Sequence, residues 1–332
     1  MDRRYARAEA GFTIVELMIS MALGLLLAGA IITVFVENRR GFDRDETVMR
    51  MQDDARQAVR ELANDLSMAG FWADLVLPGA IIQDGSLSVA ADCGPAGVPN
   101  WVYQTVTPGT SESLAVTSVD NATGAAASGS HSCIPAGEVV AGTDVIAVKR
   151  VAGARALAAA PDSVYLRTNG TLGLLYREPE AVPPAVTIPV PFSEWEYRPS
   201  IYYVRNFAIA AGDGIPTLCR KVLQYGGAPT MVTECLAQGI ENLQVEFGLD
   251  GDGDGEPNVY VENPTLGQMQ SAVSARIYVL VRSAEADRRY TNPKTYEISN
   301  APAYTPADNF YRRVYSITIG LRNLSSLQRL RS

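Results

Sequence analysis

The densest group of side chains able to do chemistry lies late in the chain. Leu249-Asp250-Gly251-Asp252-Gly253-Asp254-Gly255-Glu256-Pro257-Asn258 alternates carboxylates with glycines. In such a run the backbone can curl until several hard oxygens converge, as Ca2+ requires. Asp250, Asp252, Asp254 and Gly255 fit the first six positions of an EF-hand loop, but position twelve is Val261 and Glu262 falls one residue late. The preceding Asn242–Phe247 alternates like a strand rather than a helix. The segment therefore reads as an acidic turn, with Asp250, Asp252, Asp254 and Glu256 as candidate Ca2+ ligands. A solvated acidic turn is the plain alternative.

Little else could carry chemistry. His131 is the one histidine, beside Ser132 in a Gly/Ser-rich stretch, and no second histidine exists to build a hydrolase around it. No CxxC, HExxH, GxSxG or GxxxxGK[ST] occurs. No catalytic residue is assigned, and the chain is expected not to be an enzyme. The four cysteines, Cys93, Cys133, Cys219 and Cys235, have no metal-type spacing. In an oxidising compartment the simplest pairing is Cys93–Cys133 with Cys219–Cys235, one of three connectivities; in the cytosol they would be buried thiols. The acidic excess, 36 Asp+Glu against 28 Lys+Arg, is a poor match to a phosphate backbone, so nucleic-acid binding is not expected.

The N-terminus decides the compartment. Residues 1–11 carry Arg3, Arg4 and Arg7, and Phe12–Val36 follows with 25 residues and a single charge, Glu16. At about 1.5 Å per residue this run spans a hydrocarbon core of about 30 Å. The leading arginines keep residues 1–11 cytoplasmic by the positive-inside rule, which places the chain after Glu37 on the far side. A secretory signal cut near Ala28-Gly29-Ala30 is one alternative, but it would leave Ile31–Val36 as an apolar N-terminus. A plain signal anchor is another, but it does not explain Glu16, because a carboxylate in hydrocarbon is costly and is normally there for a partner. A cut between Gly11 and Phe12 would supply that partner. It creates an α-amine one helical turn from Glu16, and in a staggered filament one chain's Glu16 can neutralise another chain's Phe12 amine.

Gly11 to Ser20 resembles the signal of type IV prepilins and type II secretion pseudopilins, matching the pattern GFT-[IL]-[IV]-E-[LM]-M-[IV]-[SA] at every position. The resemblance implies a leader peptide over 1–11, cleavage by a prepilin peptidase after Gly11, N-methylation of Phe12, and a role for Glu16 in methylation and assembly. The helix-kinking proline that major pilins often carry in this segment is missing here. Four later stretches resemble PilW-type minor pilins: Leu218-Cys219-Arg220-Lys221-Val222, Leu236–Gly255, Ala275–Val281 and Val314–Leu324. This resemblance implies a minor pilin that helps to prime filament assembly near the pilus tip. Its partners would be other minor and major pilins, the prepilin peptidase and the inner membrane. No cofactor is required, with Ca2+ as the candidate ion. The expected location is a single pass of the inner membrane with a periplasmic head, then the pilus. A J-type minor pseudopilin and an adhesin head on a pilin stalk are the alternative functions.

These residues need elements to position them. The periodicity predicts one helix from Phe12 to about Met68, transmembrane over 12–36 and amphipathic over 37–70. Val48, Met51, Ala55, Ala58, Val59, Leu62 and Leu66 form its apolar stripe, and Asp53, Arg60, Glu61 and Asp65 belong to the polar face. From Phe71 the composition changes to Gly, Pro, Ser, Thr, Val and Tyr. Nine alternating runs predict strands: 114–119, 144–151, 163–167, 171–177, 201–208, 218–224, 242–247, 275–281 and 314–321. Asp120–Gly137 reads as a loop tethered by Cys133, and Pro179–Pro191 as an extended connection. The expected fold is α+β and pilin-like: a long N-terminal helix packed on a largely antiparallel head over 71–332.

Overall fold

The computed structural model describes Gly11 and residues 13–324, apart from 76, 86, 111, 159, 179–187 and 226. Residues 1–10, Phe12 and most of the Pro179–Pro191 stretch lie outside the described residues. The chain forms two compact units, one up to Arg50 and one from Met51 onward.

In the first unit the chain is helical from Ile14, the start of α1 (Ile14–Ser67). No proline interrupts the helix, and Leu, Met, Ala and Ile dominate its first turns, where Gly24 and Gly29 are too isolated to break it. Its most apolar 18 residues have a mean hydropathy of 2.5 and none is buried. A core helix of a globular protein would be covered; this one presents Leu, Ile, Met and Phe on all sides, as lipid contact requires.

The second unit opens with the amphipathic half of α1. Met51, Ala55, Ala58, Val59, Leu62, Ala63 and Leu66 are buried, so the predicted stripe is the packed face from Met51 on, and Val48 is only half-buried. Asp65 corrects the expectation. It is buried rather than solvated, for a reason that concerns the sheet beneath it.

That sheet is built from β1 (Ile81–Gln83), β2 (Val116–Ala122), β3 (Thr143–Val151), β4 (Val164–Thr168), β5 (Gly173–Arg177), β6 (Ser193–Arg205), β7 (Thr217–Gln224) and β8 (Thr230–Gln238). The order is β1-β5-β4-β6-β3-β2, with β7 on β6 and β8 on β7; only the β1–β5 pair is parallel. A second sheet, β10-β9-β11-β14, comprises β9 (Ile240–Leu249), β10 (Val259–Val261), β11 (Ala272–Arg282) and β14 (Arg312–Gly320), all antiparallel. A two-stranded pair, β12 (Tyr296–Ile298) and β13 (Ala301–Tyr304), completes the unit. Gly239 makes the corner between β8 and β9. Its φ is +78°, and a Cβ there would sit 2.3 Å from the Arg282 carbonyl oxygen, so only glycine fits.

All nine predicted strands are present with shifted ends. The alternation missed β1, β8, β10, β12 and β13. Four of these are only three or four residues long, too short for a period to register, and in β8 the three successive residues Thr233, Glu234 and Cys235 are all exposed, which breaks the alternation. The predicted loop 120–137 is corrected too. Asp120–Ala122 ends β2, and Gly124–Ser130 is a helix, α2, whose N-cap Thr123 accepts from the Ala126 N–H at 3.2 Å. Three successive alanines and a threonine cap outweigh the local glycines. A one-turn helix, α3 (Leu266–Met269), starts from a full capping box at Thr265.

The two sheets are joined by a buried carboxyl. Asp144 on β3 accepts from the Asn121 N–H at 2.9 Å and from the Val245 N–H of β9 at 2.7 Å. The tyrosines of β6 are core: Tyr197, Tyr202 and Tyr203 are buried, with Tyr197 stacked 6.3 Å from Trp72.

Candidate functional site

The residues around the expected cleavage point form a local device. The Thr13 carbonyl accepts the first helical bond from the Leu17 N–H, at 3.1 Å, so Thr13 acts as the cap of α1. The Thr13 N–H and hydroxyl both donate to Glu16 Oε2, at 3.0 and 2.9 Å, and the Glu16 N–H donates back to Thr13 Oγ1 at 3.3 Å. This is a capping box: two donors at the helix start are satisfied reciprocally by the side chains of Thr and Glu three residues apart. The signal is legible in the sequence as Thr-x-x-Glu before an apolar run. Gly11 and Thr13 are exposed, and Phe12 lies outside the described residues. Glu16 is therefore held at the end of an uncovered apolar helix with one carboxylate oxygen committed to Thr13.

The acidic turn folds as expected, after β9. Ligand atoms of Asp250, Asp252 and Asp254 lie within 4.8 Å of one another; Glu256 is not in this group, and its N–H donates to Asp254 Oδ1 at 2.7 Å. Asp250 Oδ1 and Oδ2 accept from the Gly253 and Gly255 N–H groups at 2.6 and 2.9 Å. Burial disfavours the Asp250 carboxylate, but these backbone donors outweigh it and hold its pKa below the usual carboxylate value. The turn thus has converging hard oxygens, of which both Asp250 oxygens and one of Asp254 already accept from the loop's own backbone.

Both expected disulfides are present, Cys93–Cys133 and Cys219–Cys235, and there is no free cysteine. Cys219 and Cys235 face each other across β7 and β8. Beside the first disulfide, His131 is buried, and its Nδ1 lies 3.2 Å from the Cys93 carbonyl oxygen. The neighbouring Ser132 hydroxyl donates instead to the Asp92 carbonyl at 2.9 Å, so the pair forms no nucleophile–base contact. Burial pushes the His131 pKa down to about 4, against the bond to Cys93. Lys149 on β3 is also buried, with its ammonium donating to the Trp101 and Gln104 carbonyls at 2.6 and 2.8 Å and sitting 3.6 Å from the Trp101 ring centre. Burial drives its pKa well below that of a free amine, and the Asp92 carboxylate opposes this.

Asp65 explains how α1 is tied to the first sheet. Its carboxylate accepts from Arg150 Nε at 3.0 Å, from Arg150 Nη2, and from the Tyr202 hydroxyl at 2.5 Å. Arg220 approaches it at 4.0 Å and also reaches Glu61 and Glu234. The helical period put Asp65 one step from the stripe. Only the fold shows the arginine and tyrosine that wait for it.

Comparison with known proteins agrees with this anatomy at two places. The model of the Type IV Pilus-assembly protein W family matches residues 201–323, from the middle of β6 to the end of β14 and the turn after it. The prokaryotic N-terminal methylation motif matches residues 6–32. No curated protein matches the chain. Among solved structures, a type IV-like pilin from Thermus thermophilus is similar at 10% identity over 83% of this chain and 97% of that one, with a TM-score of 0.37.

Proposed function

We propose that this chain, whose methylation motif and PilW-type segment support a type IV minor pilin, is a subunit that helps to prime pilus assembly and sits near the pilus tip. The observation that carries the reading is the helix start. A complete methylation motif opens a helix whose first, most apolar stretch is uncovered, with the lone carboxylate of that stretch fixed in position by Thr13. The cap needs only an acceptor, which glutamine would also supply, so the charge itself calls for a partner. In the proposal, cleavage after Gly11 exposes the Phe12 amine, and Glu16 of a neighbouring subunit neutralises it as the two helices pack. The head lies in the periplasm before extraction, and its partners are other pilins and the prepilin peptidase.

The test compares sheared pili with membranes at equal expression. Glu16→Gln keeps the cap, because glutamine also accepts from Thr13, and removes only the charge. It is expected to insert normally and to reduce incorporation at least about tenfold, the effect of losing about 1.4 kcal/mol per subunit contact. Intact mass should show loss of residues 1–11 and one added methyl group. Wild-type incorporation of Glu16→Gln would sink the charge-pair account.

The calcium reading of the acidic turn is a separate proposal. Calorimetry should show heat on Ca2+ addition that disappears in Asp252→Ala. Absence of heat in the unaltered chain assigns a solvated turn.

A further inference from the structure

The outer N–H and C=O groups of an edge strand can template pairing with another chain, and proteins usually blunt such edges with Lys, Pro, a bulge or a covering segment. β14 ends the second sheet and pairs with β11 alone. Its run Val314-Tyr315-Ser316-Ile317-Thr318-Ile319-Gly320 has no charge, no proline and no shift of register against β11. The ends of that register fix which backbone groups are spare. The Ser283 N–H donates to the Tyr311 carbonyl at 2.9 Å, and the Leu321 N–H donates to the Val273 carbonyl at 2.8 Å. Bonded positions alternate along an antiparallel ladder, so the odd-numbered residues between these ends face β11. Val314, Ser316 and Thr318 therefore turn their N–H and C=O groups outward. They have no other backbone partner among the described residues, and Ser316 and Thr318 are exposed.

A groove of about 390 Å3 runs between this strand and the second half of α1. Its apolar lining is Val59 and Ala63 from the helix with Ile317 and Ile319 from the strand, two residues apart and so on one face of the sheet. Ile317 is left 39% exposed there. The helix also brings Arg56 and Arg60, one turn apart on the same side of α1. Both are exposed and have no carboxylate partner among the described residues, and no acidic residue lines the groove. Spare main-chain groups, an apolar lining and uncompensated positive charge thus lie along one edge.

We propose that β14 is a docking edge for an extended, acidic segment of another protein, which joins the second sheet as an added strand. Its main chain pairs with Val314, Ser316 and Thr318, as in strand addition generally. Alternate apolar side chains enter the groove beside Val59 and Ala63, and a carboxylate meets Arg56 and Arg60. A helix or a small molecule would leave the outward N–H groups unused. A second copy of this chain fits worse, because the charges on its own β14 are Arg312 and Arg313, which would approach two further arginines. The edge is a property of the head alone, so the proposal stands whether or not the chain primes pilus assembly.

The experiment uses the full chain in detergent and fluorescent synthetic peptides as long as β14. The probe is Glu-Glu-Val-Thr-Ile-Thr-Val-Glu-Glu. One control replaces every Glu by Lys, and another carries N-methyl groups on the central amides. The expected result is saturable binding of the acidic probe, weakened at least about tenfold in each control. Ser316→Pro removes one outward N–H and leaves the pairing with β11 in place. It should melt close to the unaltered chain and bind the probe at least about tenfold more weakly. Arg56→Glu with Arg60→Glu leaves the strand untouched and should reverse the preference, from the acidic peptide to the Lys peptide. That reversal tests the groove even if the proline variant fails to fold. No binding of the acidic probe, equal binding of the N-methylated peptide, or an unchanged preference in the double variant would overturn the proposal. So would a dimer of the chain alone that Ser316→Pro dissociates, since the edge would then belong to a second copy.

Discussion

His131 is a residue whose burial has a measurable sign. Its folded pKa of about 4 lies below the ordinary 6.5, so the unfolded chain binds the extra proton between those values. Stability is then unaffected above pH 6.5 and falls as pH drops from 6.5 to about 4, by about 3 kcal/mol in total. Asp144 works with the opposite sign. Burial raises its carboxyl from 3.8 to about 7, so its contribution to stability is lost as pH rises through that window. A difference measurement separates them. His131→Gln keeps a donor for the Cys93 carbonyl and cannot titrate, while Asp144 is common to both proteins. Chemical unfolding should show the unaltered chain losing about 3 kcal/mol relative to His131→Gln between pH 6.5 and 4. A flat difference would mean that His131 is reached by solvent. Nothing in the sequence pointed to this burial. A lone histidine among Gly and Ser looks exposed, and it is the packed fold that buries it, with the Trp101 ring centre 5.2 Å away and the Cys93 carbonyl 3.2 Å from its Nδ1.

The element that matters most is the second half of α1. Its apolar stripe was legible because Ala, Val and Leu recur at three- and four-residue steps from Met51 to Leu66. Asp65 was not, because a helical wheel assigns charge to solvent, and Asp65 is paid for by residues 85 and 137 positions away. Burial and the Asp65 carboxylate push the Tyr202 hydroxyl pKa up, so it stays a donor at any physiological pH. Removing only the carboxylate strands a mostly buried guanidinium. Asp65→Ala should therefore cost about 3–5 kcal/mol, whereas Asp65→Leu with Arg150→Met, an apolar pair replacing an ionic one, should lose only about 1–3 kcal/mol for the unpaired Tyr202 hydroxyl. Urea unfolding followed by tryptophan fluorescence measures both. Additive losses would show that the two side chains do not act as a pair.

For the whole molecule the disulfides carry the prediction about topology. The two bridges close loops of 40 and 16 residues, for which chain entropy gives about 4 and 3 kcal/mol. They persist only where thiols are oxidised, which in the proposed topology is the side opposite the basic N-terminus. Non-reducing peptide mapping of the membrane-inserted chain should recover Cys93 with Cys133 and Cys219 with Cys235. Free thiols would place the head on the reducing side and remove the basis for a periplasmic assembly role.

Some of this was decided along the chain alone. The methylation motif, the uncovered apolar helix, the amphipathic stripe and the nine strands are all local patterns, set by residue type at short spacing, and a single sequence displays them in full. The pairing of Cys219 with Cys235 was also within reach, since only 16 residues separate them, a loop short enough for a hairpin-like pair of strands. Other features exist only once distant segments meet. Asp65 with Arg150, Asp144 between two sheets and Lys149 under Trp101 each join atoms that the chain keeps tens of residues apart. Their energies depend on burial, and burial is a property of the packed molecule. A carboxylate, an ammonium or a hydroxyl looks the same in a sequence whether it faces water or a partner.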